Sequence, residues 1–254
     1  MTIPTAIRRI PAMLAALPWV VRLRAAAPSE RSQSFRPHTY WENRHAALRG
    51  SLRAVGHIQL DDALNRRQYE TKRSRIADAI RRHARAAGGS ERRTLLDAGC
   101  GTGVLTSTYV EMGFDVTGVD FSPSAIGQAQ ERGLDARFIV SPLHSLELSS
   151  FDVITVIDVL LHIVDDDEWA LTLRRLVDHL NDGGIMIIVD QHVDSATQCD
   201  IARRSAHCRP RSRADYESAL AARGGVVVER EHFTLEHERT TKALYVVVRD
   251  ASVA

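Results

Sequence analysis

Cysteine and lysine are scarce in this chain of 254 residues. Its three cysteines, Cys100, Cys199 and Cys208, are an odd number spread thinly along the sequence, which excludes a disulfide framework and favours a reduced, cytoplasmic setting. Only two of the 33 basic residues are lysines, Lys72 and Lys242. Nearly all of the positive charge is therefore arginine, whose planar guanidinium suits phosphate or carboxylate better than a point charge does.

Long apolar runs are also missing. No run reaches the roughly 18 residues that a membrane-spanning helix requires, and the nearest, residues 11–21, carries Pro11 and Pro18. Residues 3–27 nevertheless combine apolar side chains with four arginines and no acid, a pattern that predicts peripheral contact with a membrane surface. A tail that only packs or is disordered, and a signal peptide, are the alternatives for this segment.

The formal net charge of +1 is unevenly divided along the chain. Residues 1–93 hold 19 basic and 7 acidic side chains, so the remaining residues, with 14 and 25, stand at −11. A basic front of this kind indicates an anionic substrate or a membrane surface, and a solvated face is the alternative.

The sequence divides into three regions. Residues 1–37 are predicted to be a basic, apolar segment that ends in a linker rich in proline and serine. Residues 38–93 show no strand-like alternation and are predicted to form a helical cap, with one long helix over 61–86 that Asp61 or Asp62 caps. Residues 94–254 are predicted to form the main domain.

In the main domain, short apolar runs alternate with helical segments. The runs predicted as strands are residues 94–97, 115–120, 137–140, 151–158, 185–190, 226–231 and 243–249. The predicted helices are residues 104–112, 123–132, 166–180 and 212–223. This order predicts a doubly wound α/β fold with a mostly parallel sheet of seven strands, in which the last two runs form an antiparallel terminal hairpin.

A glycine-rich turn joins the first predicted strand to its helix. Residues 95–105 read LLDAGCGTGVL, with Gly99, Gly101 and Gly103 at alternate positions. Such a turn lets the backbone approach a ligand closely, and the amide donors at the start of the next helix favour a negative or polar group. NAD is disfavoured, because the sixth position of the dinucleotide pattern holds valine or threonine instead of glycine.

An acidic residue ends the second predicted strand. Asp120 follows Gly103 by 17 residues, at the carboxyl end of the strand next to the glycine turn. A carboxylate at that place can accept both hydroxyls of a ribose, and Phe121 can lie against an adenine.

These segments resemble the class I S-adenosylmethionine-dependent methyltransferases over residues 94–249. Residues 95–103 are similar to the first motif of that superfamily, 116–120 to the second, 151–164 to the fourth strand with its loop, and 176–187 to the leucine and glycine–glycine segment before the fifth strand. The resemblance implies a Rossmann-like methyltransferase fold and S-adenosyl-L-methionine as the cofactor. The residues that it places around the cofactor are Asp97, Gly99, Cys100, Gly101, Gly103, Asp120, Phe121, Leu143 and Asp158.

The chain departs from the family after the third strand. Relatives often have an acid there, near the adenine amino group, whereas this chain reads Ser141-Pro142-Leu143. Backbone groups near Leu143, or the Ser141 hydroxyl, are expected to bind the adenine amino group in place of this acid.

His162 is the candidate catalytic residue, since it follows the fourth strand, where active sites of this family open. Its predicted role is that of a base for a hydroxyl acceptor, and packing beside the cofactor is the alternative. His144 and His192 are weaker candidates. We therefore expect methylation of a small molecule, at oxygen, on a sugar, a glycolipid or a natural-product scaffold.

Two other functions are the alternatives. A nucleic-acid methyltransferase would agree with the basic front, but the chain lacks the acid-or-amide–proline–proline–aromatic segment and the proline–cysteine pair that such enzymes carry. The second alternative is a non-catalytic protein that binds S-adenosylmethionine and modulates another enzyme.

Residues 191–213 contain five arginines, and in this fold such an insertion commonly covers the acceptor. They favour an acceptor that is anionic or attached to a membrane-bound carrier. No metal is expected, because Cys199, Cys208 and the nearby histidines match no paired-ligand spacing and because residues 165–167 are predicted to cap a helix. The aromatic segment at residues 40–44 is expected near the cofactor, or in the core of the cap.

Overall fold

The computed structural model describes residues 36–84, 93–191, 193, 207–237 and 241–250. The predicted membrane-contact segment, the linker up to residue 35, and His192 and Cys199 lie outside this part of the chain. No described helix is both long and apolar enough to cross a membrane.

Seven strands alternate with helices from residue 94 onward. The strands are β1 (Thr94–Ala98), β2 (Asp115–Asp120), β3 (Ala136–Val140), β4 (Phe151–Ile157), β5 (Leu180–Gln191), β6 (Gly225–Thr234) and β7 (Thr241–Arg249). The helices are α1 (Pro37–Ala47), α2 (Asp62–His83), α3 (Thr106–Glu111), α4 (Pro123–Gln130), α5 (Asp166–Asp178) and α6 (Arg213–Ala221).

The strands form a single sheet with the order β3-β2-β1-β4-β5-β7-β6. β1 to β5 pair in parallel, whereas β7 pairs antiparallel with both β5 and β6. The doubly wound fold and the antiparallel terminal hairpin are thereby confirmed. Because the carboxyl ends of β1, β2 and β4 lie at one edge, the loops that follow them meet there.

Several strand ends differ from the sequence-based prediction, and two of the differences have an identifiable structural cause. β4 ends at Ile157 and not at Asp158, because Asp158 adopts a left-handed backbone with φ 55°. β5 begins at Leu180, five residues early, because Leu180 already pairs with Phe151. The glycine turn that was expected between α5 and the strand is therefore part of β5.

The sheet is covered by apolar side chains on both faces. On one face, Trp169, Leu173 and Leu176 of α5 pack with Tyr216 of α6. The other face is covered by α2 and α3, through side chains that include Ile76, Ile80 and Tyr109. α2 thus belongs to the core as much as to the cap, which fixes its inner side chains against the sheet.

Part of the positive charge of residues 1–93 is paired with acids of the main domain. Arginines of α2 pair with acids of the main domain, and Arg49, after α1, pairs with an acid that follows α4. The pairs are Arg49–Glu131, Arg73–Glu111, Arg75–Glu231 and Arg82–Glu229. These pairs are largely exposed, so each contributes at most about 1 kcal/mol, and they involve four of the 19 basic residues of the front.

Candidate active site

A cavity lies above the carboxyl ends of β1, β2 and β4 and beneath α1 and α2. Nine of the ten residues predicted for the site line it: Asp97, Gly99, Cys100, Gly101, Asp120, Phe121, Leu143, Asp158 and His162. The tenth, Gly103, is not among the lining residues. Its φ is +75°, and an added Cβ would lie 3.2 Å from Ala129, so it serves the turn and its packing.

The glycine turn has little room for side chains. Gly99 has a φ of +76°, and a Cβ there would lie 2.3 Å from a methyl carbon of Val159. Gly101 has a φ of +53°, and a Cβ there would lie 2.8 Å from a methyl carbon of Val55. Both positions require glycine because of the left-handed backbone and because of close neighbours on either side of the turn. The bare backbone forms part of the cavity wall.

Asp120 is a buried carboxylate that is held by backbone amides. Its Oδ2 accepts a hydrogen bond from the Gly101 amide (3.0 Å), and its Oδ1 accepts one from the Ser122 amide (2.9 Å). Burial raises the pKa of Asp120 to about 6. A carboxylate can accept about four hydrogen bonds, so two further donors can be accommodated. The hydroxyls of a ribose fit this requirement.

Asp97 is the second buried carboxylate in the wall. Its oxygens accept hydrogen bonds from the hydroxyls of Thr106 (2.7 Å) and Thr155 (3.2 Å). Burial raises the pKa of Asp97 to about 6 as well. A negative site beside the glycine turn fits the positively charged amino group of an amino-acid tail, which is how the residues present match S-adenosylmethionine.

His162 lies in a short turn directly after β4. Its Nδ1 is 3.0 Å from the carbonyl oxygen of His207. Because a carbonyl oxygen only accepts, Nδ1 carries the hydrogen and Nε2 carries the lone pair. Trp41 packs edge-on against the ring at 4.6 Å. Burial lowers the pKa of His162 to about 4, so the imidazole is neutral at physiological pH.

The sequence-based reasoning missed a buried charge cluster around Asp158. Lys72 donates to Asp158 Oδ2 at 2.9 Å, and Lys242 donates to Oδ1 at 2.7 Å. Burial alone would raise the pKa of Asp158, but Lys242 and Lys72 hold it well below its usual range. The two lysines are the only ones in the chain, and this rarity was the one available signal.

α1 covers the side of the cavity next to Asp120. Glu42 accepts hydrogen bonds from the hydroxyls of Ser122 and Ser124 at the start of α4, and His45 Nδ1 lies 2.9 Å from Ser122 Oγ. These contacts fix α1 where Trp41 can line the cavity. The aromatic segment therefore lies at the site and not in a separate core of the cap.

Next to α1, the segment after β3 approaches the same cavity. The ring of Phe121 lies 4.3 Å from that of His38 on α1. Leu143 and Pro142 line the wall, while the Ser141 hydroxyl donates to the carbonyl of Pro142 at 3.2 Å. Ser141 is not among the lining residues, so the backbone groups of Pro142 and Leu143 are the polar groups that this segment brings to the wall.

The described arginines of the predicted insertion are used within the domain. Arg209 and Arg211 both pair with Asp166, and Arg213 pairs with Glu217. None of the three lines the cavity. The predicted cap of α5 is confirmed, since Asp165 accepts from the Glu168 amide. Among the described residues, no three metal-binding side chains converge.

Comparison with known proteins agrees with this geometry. The methyltransferase domain family matches residues 66–230. A ubiquinone biosynthesis O-methyltransferase of Caulobacter vibrioides is 35% identical over 102 residues, which are 37% of this chain and 39% of that protein. The matched segments span about half or less of the curated relatives.

Solved structures share the fold at low sequence identity. A magnesium protoporphyrin IX methyltransferase from Synechocystis PCC 6803 with bound SAH is 18% identical, with a TM-score of 0.63 over 84% of this chain and 98% of that one. The [4+2]-cyclase SpnF is 19% identical, with a TM-score of 0.57 over 69% and 80%. With its glycine turn, its paired acids and its sheet order, the chain belongs to the class I S-adenosylmethionine-dependent methyltransferases.

Proposed function

We propose that this protein transfers a methyl group from S-adenosylmethionine to a hydroxyl oxygen of a small molecule. The observation that supports the proposal is that His162 lines the same cavity as the glycine turn and Asp120. His162 is neutral, and its Nε2 carries the lone pair that can accept a proton. When bound, the cofactor supplies a methyl group that is already electrophilic. The protein need only hold the acceptor in line, exclude water and receive a proton.

Each part of the wall has a role in this reaction. The glycine turn and Asp120 would orient the nucleoside, and Trp41 on α1 packs against the His162 ring. With the cofactor bound, its sulfonium would supply the methyl group to the acceptor oxygen, and Nε2 of His162 would receive the hydroxyl proton. The hydrogen bond from Nδ1 to the His207 carbonyl keeps the imidazole in the tautomer that can accept it.

The low pKa of His162 narrows the class of hydroxyl. A histidine with a pKa of about 4 is a weak base, so it serves an acidic hydroxyl better than an alkyl one. A phenol, with a pKa of about 10, therefore suits the site better than a sugar. The rings of Trp41 and Tyr69 in the wall also favour a planar acceptor. We infer a phenolic natural-product scaffold ahead of a sugar or glycolipid, in keeping with the O-methyltransferase names of the relatives.

The test is methyl transfer by the purified protein. Labelled S-adenosylmethionine is incubated with catechol, with 3,4-dihydroxybenzoate and with methyl glucoside, and products are separated by mass. Label is expected in the methoxy group of the phenols, and His162→Ala is expected to lower turnover while SAH affinity stays unchanged. Transfer to none of these acceptors by a protein that binds SAH would favour the non-catalytic alternative.

A further inference from the structure

Both lysines of the chain converge on one carboxylate, although neither is near it in sequence. Lys72 lies on α2, Asp158 follows β4 and Lys242 lies at the start of β7. The exposed fractions of the three side chains are 6%, 20% and 9% in that order. Burial alone would lower the pKa of Lys72, yet Asp158 outweighs it and the pKa is raised, so Lys72 is charged at neutral pH.

The two ammonium groups share Asp158, and Lys242 also interacts with the buried carboxyl of Asp190. Lys72 and Asp158 line the cavity, whereas Lys242 is not among the lining residues. No other lysine or arginine is among the described residues that line it. Lys72 is therefore the permanent positive charge that this wall offers to an anionic ligand.

Lys72 also has the geometry to bind such a ligand. Its ammonium donates to Asp158 and lies 4.1 Å from the centre of the Tyr69 ring. An ammonium has three donors, and Asp158 takes one of them while the Tyr69 ring covers another side. Because Lys72 lines the cavity, a ligand there can accept a further hydrogen bond from it. A carboxylate, with its single negative charge, matches the single charge of this ammonium.

We propose that Lys72 is the group that binds a ligand carboxylate in this cavity, with Asp158 holding it in place. The inference rests on the proposed function, because the carboxylate belongs either to the methionine end of the cofactor or to the acceptor. In both cases the chemistry is the same, a charge-assisted hydrogen bond from a buried ammonium. Two pairs of compounds show whether the carboxylate belongs to the cofactor or to the acceptor.

For the cofactor, calorimetry compares SAH with 5′-methylthioadenosine, which lacks the amino-acid tail. For the acceptor, binding to the SAH-loaded protein compares 3,4-dihydroxybenzoate with catechol. Lys72→Met is expected to weaken the carboxylate-bearing member of one pair by about 10- to 100-fold, the loss of one charge-assisted hydrogen bond, and to leave its neutral partner unchanged. Lys72→Arg should restore part of the loss, and the affected pair identifies the source.

Lys242→Met is the matched control, because it removes the same charge from the same carboxylate outside the cavity wall. It should lower the melting temperature about as much as Lys72→Met does. It should change the ratio of affinities within each pair of compounds less than Lys72→Met does. Equal changes in both variants would overturn direct contact by Lys72. Unchanged ratios in a protein that binds SAH would overturn this inference alone. A wild-type chain that binds neither SAH nor 5′-methylthioadenosine would overturn the proposed function with it.

Discussion

Asp120 should make the ligand-free protein less stable as the pH rises, and Asp120→Asn should remove that dependence. Burial raises the pKa of this carboxyl from 3.8 to about 6 in the folded chain. Each unit of pKa difference corresponds to about 1.4 kcal/mol, so the ionised form costs about 3 kcal/mol at a pH well above 6. The energy is recovered only when donors reach the carboxylate, as ribose hydroxyls would.

The direction of the effect follows from the order of the two pKa values. Between pH 3.8 and 6 the folded protein binds more protons at Asp120 than the unfolded chain does, so stability falls as the pH rises through about 6. From pH 5 to pH 8 the two pKa values give a loss of about 1.5 kcal/mol. In a domain of this size that is about 3 to 6 °C in melting temperature.

Thermal unfolding of the ligand-free wild type and Asp120→Asn, measured by circular dichroism from pH 5 to pH 8, is the assay. The amide adds a constant offset, and His162 titrates alike in both proteins and cancels. Asp97 does not cancel, because the charge of Asp120 also raises its pKa; its removal in the variant adds to the difference in the same direction. The variant should gain about 3 to 6 °C on the wild type between the two pH values and lose about 10- to 100-fold in SAH affinity. If the melting temperatures of the two proteins changed by the same amount between pH 5 and pH 8, or if the variant bound SAH as tightly as the wild type, the reasoning would be refuted.

Three further predictions address the turn, the base and the cap. Gly99→Ala should cost about 2 to 4 kcal/mol in chemical denaturation, because of its φ of +76° and the contact with Val159, and Val159→Ala in the same chain should restore part of it. At saturating cofactor, turnover should show no protonation step of His162 between pH 6 and 8, since its pKa is about 4; a loss of half the rate near pH 6.5 would contradict this. Glu42→Gln should lower stability by about 1 to 2 kcal/mol in thermal unfolding by weakening the hold on α1, and the control Arg49→Gln, in an exposed pair, should lower it by less than about 1 kcal/mol.

The parts of the fold that depend on local patterning could be predicted from the sequence. β2 occupies the predicted residues, and the glycine turn meets Asp120 because neighbouring parallel strands end at the same edge. The predicted strand ends were wrong where a long-range strand pairing or an unusual backbone conformation sets the end of the strand. β5 begins early through its contact with Phe151, and β4 ends early at the left-handed Asp158. Neither is encoded in the residues nearby.

The charge that faces the cavity could not be predicted for the same reason. Asp158 is 86 residues from Lys72 and 84 from Lys242, so no spacing rule connects them. The sequence-based reasoning instead assigned anion recognition to the arginines, because they are numerous. Many of them pair with acids of the main domain at the surface, where high dielectric makes each pair weak.

Burial, and not number, decides which charge can select a ligand. A guanidinium needs space for a planar fork, whereas an ammonium fits between a carboxylate and a ring, as Lys72 does between Asp158 and Tyr69. In a chain that otherwise uses arginine, this place between a carboxylate and a ring holds a compact charge. Two of the 33 basic residues therefore account for the positive charge of this cluster. The net charge of the whole sequence does not reveal their contribution.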